Sequence, residues 1–381
     1  MNGSLRVGNL FGIPFYVNPS WFLVLALITW SNGGWYMAQF PWLGSAAWVL
    51  GLATSLLFFT SVLLHELGHS VVAMRQGIEV KSITLFIFGG LASLGDEPKT
   101  PWNMFTVAIA GPLVSFALAA VLTGIGLLSS VSGPWAALVG LLAYINMALG
   151  LFNLIPGLPL DGGNVLKALV WKITGKSYKG VAFASRVGQL FGWLGIILGI
   201  SPFLDIAIPI PILRGFATPW TFLVGLFLLQ NAGFSAQTAA IQEKLSGLTA
   251  ADAVIPNSPI IAGSKSLREL ANDYIIGNEI KWRKFLVTDD SGQLVGEILV
   301  DDLKNVPTND WWNVPVQTLT KPLSEVDTVP CTRPLLEVVT LLEEKKLSSL
   351  AVVREDGVVM GLLEKNSIAG LLQAKANAEA T

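Results

Sequence analysis

The residues best suited to chemistry in this chain lie at His65-Glu66-Leu67-Gly68-His69, inside the apolar stretch Leu56–Gln76, LLFFTSVLLHELGHSVVAMRQ. The stretch reads as a helix that is apolar on nearly every face. Positions four apart on a helix share one side, so His65 and His69 can reach a single metal ion. Glu66 stands beside them, where a general base toward a water molecule would sit. No other histidine occurs in the chain. An HExxH can arise by chance, and two hydrogen-bonded core histidines would then account for it. Ionisable groups in hydrocarbon are costly, however, which favours a metal site.

A catalytic zinc takes three protein ligands and keeps one position open. A candidate third ligand follows Asn153, in the segment Asn153-Leu-Ile-Pro156-Gly157-Leu-Pro159-Leu-Asp161-Gly162-Gly163. Its prolines and glycines break a helix. Asp161 comes just after the break and can approach the two histidines if both helices leave the membrane on the same side. Alternatively, Asp161 caps the segment that starts at Gly162.

The elements that must position these residues are set by the distribution of charge. The chain has 381 residues, 52% hydrophobic and 13% charged, about half the charged share usual in soluble proteins. Charges are sparse from Trp21 to Leu229 and common from Glu243 onward. This asymmetry predicts a membrane domain over residues 1–240 and a soluble domain over 245–376. A membrane helix needs roughly twenty apolar residues. Six spans are predicted, at about Ser20–Trp35, Ala46–Met74, Trp102–Leu128, Trp135–Leu154, Val181–Phe203 and Trp220–Phe234. One set of loops carries Arg75, Lys81, Lys99, Lys167, Lys172, Lys176, Lys179 and Arg186, whereas the opposite set has little beyond Arg214. The basic set is expected in the cytoplasm, and an even number of spans then puts both termini there. A multi-pass protein of a prokaryotic cell membrane is expected, surrounded by lipid bilayer.

Ser4–Val17 alternates loosely, as a short strand at the membrane surface would. Glu79–Ser93 is β-rich and too short to span, so it reads as a hairpin or edge strand dipping into the membrane face; a surface hairpin without a role is the alternative. The net charge of −2 gives no argument for nucleic-acid binding, and none is expected. Cys331, the single cysteine, reads as a small apolar filler.

Beyond Lys244 an order of elements occurs twice, over about 248–306 and 319–372. Each copy has an extended stretch, a helix, two strands around a turn (Asp289-Asp290-Ser291-Gly292 and Glu355-Asp356-Gly357) and a short closing helix at Asp301 or Lys365.

Together, the HExxH, the Asn153–Gly162 segment with its Pro156, Pro159 and Asp161, and Ala110-Gly111-Pro112 resemble the site-2 protease family of intramembrane zinc metalloproteases. The resemblance covers about residues 4–240. It implies one Zn2+ held by His65, His69 and Asp161, with Glu66 activating the water and Asn153 helping to position or stabilise the reacting carbonyl. The repeated half resembles a tandem pair of cystathionine-β-synthase-type (CBS) domains. Such pairs often bind adenine nucleotides through a small hydroxyl residue and an Asp three positions later. Here Leu299 and Asp302 occupy those places in the first copy, and Glu364 and Ser367 in the second. Adenine-nucleotide binding is therefore expected to be weak or absent, and pairing of two chains into a homodimer is the expected role.

The expected fold is thus an α-helical polytopic membrane domain of six spans with short membrane-associated β-strands, followed by a soluble α/β tandem CBS module. The expected function is an intramembrane zinc endopeptidase that cuts a membrane-spanning segment of another protein, with the CBS pair regulating it or joining two copies. The rival is a membrane transporter or channel gated by the CBS pair, since intramembrane charge also suits an ion path.

Overall fold

The computed structural model describes residues 3–206, 208–276, 282–323 and 326–379. The chain divides into two compact units, Met1–Ala240 and Ile241–Thr381.

The first unit combines one small sheet with long helices. Strands β1 (Leu5–Leu10), β2 (Ile13–Val17), β3 (Val80–Phe86) and β4 (Gly89–Leu94) lie in the order β1-β2-β3-β4. β1–β2 and β3–β4 are antiparallel hairpins, and β2 pairs in parallel with β3. That parallel pair is joined through α1 (Pro19–Gln39) and α2 (Ala46–Arg75). The region Ser4–Val17 therefore forms two strands where one was expected, and Glu79–Ser93 forms a hairpin whose second strand is the outer strand of the sheet.

The helix starts follow local chemistry. Asn18 Oδ1 accepts from the Ser20 N–H at the head of α1, and Pro19 fills the first turn, where no N–H is needed. Thr100 does the same for Asn103 ahead of α3 (Pro101–Leu128). α4 (Gly133–Asn153), α5 (Asp161–Thr174), α6 (Ser177–Ile200), the single turn α7 (Pro211–Arg214) and α8 (Pro219–Leu245) follow. α5 is amphipathic and lies outside the predicted spans.

Among the described residues, four helical stretches are long and apolar enough to cross a membrane: Ala46–Arg75, Pro101–Leu128, Gly133–Asn153 and Ser177–Leu204. The first and sixth predicted spans are helices as well, α1 and α8, but polar interruptions at Ser31-Asn32-Gly33-Gly34 and Gln230-Asn231 dilute their apolar runs. Trp30, Trp42, Trp102 and Trp135 are exposed, as expected of side chains that meet lipid and headgroups. α6 and α8 approach backbone to backbone. A Cβ on Gly199 would stand 2.3 Å from the Phe222 nitrogen, so small residues set their separation. The turn of the β3–β4 hairpin meets α8 through Phe88, which stacks on Phe227 with ring centroids 4.4 Å apart.

The second unit repeats one motif. In the first copy β5 (Ile260–Ala262) pairs in parallel with β6 (Lys284–Thr288), which pairs antiparallel with β7 (Leu294–Leu299); β8 (Lys321–Pro322) closes that sheet. In the second, β9 (Thr328–Pro330), β10 (Ser349–Val353) and β11 (Val359–Glu364) repeat the parallel and antiparallel pairings. Helices α9 (Leu267–Glu269, continued to Ile276), α10 (Leu335–Glu344) and α11 (Lys365–Glu379) cover them. Leu286, Leu294, Val326, Ala351 and Leu362 form a core shared by the two copies.

Candidate metal centre

α2 presents His65 and His69 one helical turn apart, with 3% and 8% of their surfaces exposed. The break after α4 brings Asp161 to them as the first residue of α5. This turn is tight: a Cβ on Gly162 would stand 2.3 Å from the Leu154 carbonyl oxygen. The N-cap of α5 is Leu160, and the Asp161 carboxylate faces the histidines instead of capping its own helix.

Asp161 Oδ2 lies 3.0 Å from His65 Nε2 and 3.2 Å from His69 Nε2, and the two Nε2 atoms are 3.3 Å apart. Tetrahedral ligands at zinc–nitrogen distances of ~2.0–2.1 Å stand about 3.3 Å apart, so the spacing suits zinc. The donor chemistry agrees. His69 Nδ1 lies 2.7 Å from the Val107 carbonyl, which can only accept, so Nδ1 carries a proton, and in the neutral ring that binds metal the lone pair points inward at Nε2. Three potential donor atoms meeting at this range in a buried place can hold a metal ion.

Room for that cation comes from α3. A Cβ added to Gly111 would stand 2.2 Å from His69 Nε2 and 2.7 Å from His65 Nε2. The space a methyl group would fill therefore lies directly beside both Nε2 atoms, and glycine leaves it free.

Glu66 lies under the sheet. A Cβ on Gly90 would stand 2.4 Å from Glu66 Cγ and 3.1 Å from its Oε1, so the backbone of β4 passes directly against this carboxylate. Asn153 is the last residue of α4. Among the described residues its side-chain hydrogen bond is from Nδ2 to the Leu149 carbonyl, 3.1 Å, within its own helix. The structure thus groups His65, His69 and Asp161 and sets Glu66 against β4, whereas Asn153 makes no hydrogen bond to any of them among the described residues.

Several neighbours escaped the sequence reading. Gly111 entered only through the Ala110-Gly111-Pro112 resemblance. Gly90, Ser115 and the Val107 carbonyl carried no signal of their own. Lys167 on α5 is buried and pairs at 2.9 Å with the exposed Glu97 in the link from β4 to α3.

In the C-terminal unit, the positions compared with nucleotide-binding residues are engaged internally. Asp302 Oδ2 accepts from the Leu299 N–H at 3.1 Å. The Ser367 hydroxyl lies 2.8 Å from the carbonyl oxygens of Ala253 and Glu364 and accepts from the Glu364 N–H at 3.2 Å.

Comparison with known proteins gives two family matches: "Peptidase family M50" over residues 53–132 and 128–195, and "CBS domain" over residues 318–374. A Synechocystis protein bearing a zinc metalloprotease name is 55% identical over 99% of this chain and 97% of its own length. A Mycobacterium tuberculosis protein, Rip3, also bearing that name, is 30% identical over 98% of this chain and 93% of its own. The solved site-2 protease from Methanocaldococcus jannaschii is 30% identical, covering 61% of this chain and 95% of that one, with a TM-score of 0.45.

Proposed function

This chain belongs to peptidase family M50, and from that premise we propose that it cleaves a membrane-spanning segment of another protein within the bilayer, under the control of its CBS pair. It is a zinc metalloprotease of the membrane that carries CBS domains. His65, His69 and Asp161 would hold the ion. The observation that carries this reading is the meeting of their three donor atoms at 3.0–3.3 Å around the space beside Gly111.

A zinc ion bound there would polarise a carbonyl oxygen and bring the pKa of water toward about 7. Glu66 would take a proton from that water and return it to the leaving amine. Burial of the histidines keeps bulk water from competing at the ligand atoms. A substrate helix hides its carbonyls in hydrogen bonds and must unwind to be cut. The outer strand β4, running against Glu66, is a sheet edge to which an unwound segment could add as a further strand. Asn153 is assigned to hold the reacting carbonyl, which requires its amide to leave the Leu149 carbonyl when substrate arrives. Six spans, with both termini in the cytoplasm, follow if α1 and α8 cross with the four more apolar stretches. The CBS pair is assigned to joining two copies and shifting the equilibrium of the membrane domain.

The test is Glu66→Gln in purified protein with a single-span membrane protein as substrate. Retained zinc with cleavage lost supports the reading. Wild-type protein that conducts ions but cuts no membrane substrate would replace it with the transporter.

A further inference from the structure

We propose that α3, which supplies none of the three ligand atoms, holds the ring orientation of both histidines for metal binding, with Ser115 as the positioning residue for His65. This rests on the metal reading above.

Val107, Gly111 and Ser115 are spaced by four and so share one side of α3. They meet the two histidines of α2, spaced by four in turn. The Val107 carbonyl receives His69 Nδ1 at 2.7 Å, Gly111 leaves the space beside both Nε2 atoms, and Ser115 Oγ lies 2.9 Å from His65 Nδ1. Ser115 is completely buried, and His65 nearly so.

The behaviour of other helix hydroxyls sets Ser115 apart. Thr54, Ser55, Ser61, Ser70, Thr106 and Thr123 each donate to the carbonyl four residues back, as serine and threonine within helices commonly do. Among the described residues Ser115 makes no such bond, and its partner is the imidazole. A hydroxyl can accept from or donate to Nδ1; once Nε2 holds a metal the ring proton must sit on Nδ1, where Ser115 Oγ is in place to accept it and to keep Nε2 turned toward His69 Nε2 and Asp161. Without it, the buried Nδ1–H of the metal-binding form loses its acceptor and the ring loses the contact that holds its orientation. Losing such an outer hydrogen bond typically costs roughly 10–100-fold in metal affinity.

The experiment is cobalt(II) titration of the metal-stripped full chain, read by affinity and by the ligand-field absorption band. Ser115→Thr keeps the hydroxyl, and Ser115→Val has nearly the same shape without it, so the pair separates chemistry from packing. The expected result is near-wild-type binding for Ser115→Thr, with affinity reduced about 10–100-fold and an altered band for Ser115→Val. Equal affinity and spectra for the two variants would overturn the proposal. His65→Ala is the reference. If it too binds cobalt as wild type does, the metal reading itself fails; if it alone loses the metal, only the role of Ser115 fails.

Discussion

Gly90 lies against Glu66 so closely that one added methyl group would stand 2.4 Å from the Glu66 Cγ. The first prediction follows. Gly90→Ala must push β4 away from α2 or swing the carboxylate aside, and displacements of about 1 Å at a reacting group can cost roughly 100-fold in rate. Cleavage assays should show such a fall while zinc content stays normal. Unchanged cleavage would separate β4 from the work of Glu66.

Zinc analysis checks the ligand set. One ion per chain is expected, with sharp losses in His65→Ala, His69→Ala and Asp161→Ala. Glu66→Gln should keep the metal while cleavage falls by about 10²–10⁴. Gly111→Ala should lose zinc although no donor atom is removed, because its Cβ would stand 2.2 Å from His69 Nε2. Normal zinc in Asp161→Ala would remove that carboxylate from the set.

The sequence made some of this legible and left the rest out of reach, for physical reasons. The spacing of His65 and His69 is a within-helix relation, and helical periodicity alone carries it. Asp161 was reachable because prolines and glycines announce the break before it. Ser115 and the Val107 carbonyl act across a helix–helix contact, and nothing in a single chain of letters says which side of α3 meets α2. In sequence α5 reads as the segment after the break, with its Lys167 and Lys172 among the basic loops, whereas both lie on a helix whose mixed composition does not fit a span. Polar interruptions also left α1 and α8 at the margin as spans, although both are helical over the regions expected.

The Lys167–Glu97 pair should matter to stability. Lys167 is buried, so removing its partner leaves an ammonium without a counter-ion. Glu97→Ala should destabilise by about 1–3 kcal/mol, less than a fully buried pair because Glu97 is exposed. Adding Lys167→Met should recover much of the loss in thermal unfolding. Additive losses in the double variant would mean that the two charges do not interact.

Topology can be tested with single cysteines in a Cys331→Ser background. Replacements at Lys99 and Lys176 should label from the cytoplasmic face and a replacement at Gly133 from the other. Labelling of positions 133 and 176 from one face would overturn the six-span arrangement.

Nucleotide binding is expected to be weak or absent, because Asp302 already accepts from the Leu299 N–H and the Ser367 hydroxyl is shared with Ala253 and Glu364. Calorimetry on the full chain should detect no micromolar ATP or AMP. A clear micromolar isotherm would show that these internal bonds yield to a ligand.

The two histidines are the whole imidazole complement of this protein, and both rings sit at one place with Nδ1 engaged by α3. Nitrogen-15 introduced through histidine alone therefore labels nothing but the centre. Each ring contributes two resonances whose shifts distinguish a protonated nitrogen from a free or metal-bound one. The tautomer, its dependence on Ser115 and the arrival of metal all become visible in a spectrum with no background from the rest of the chain.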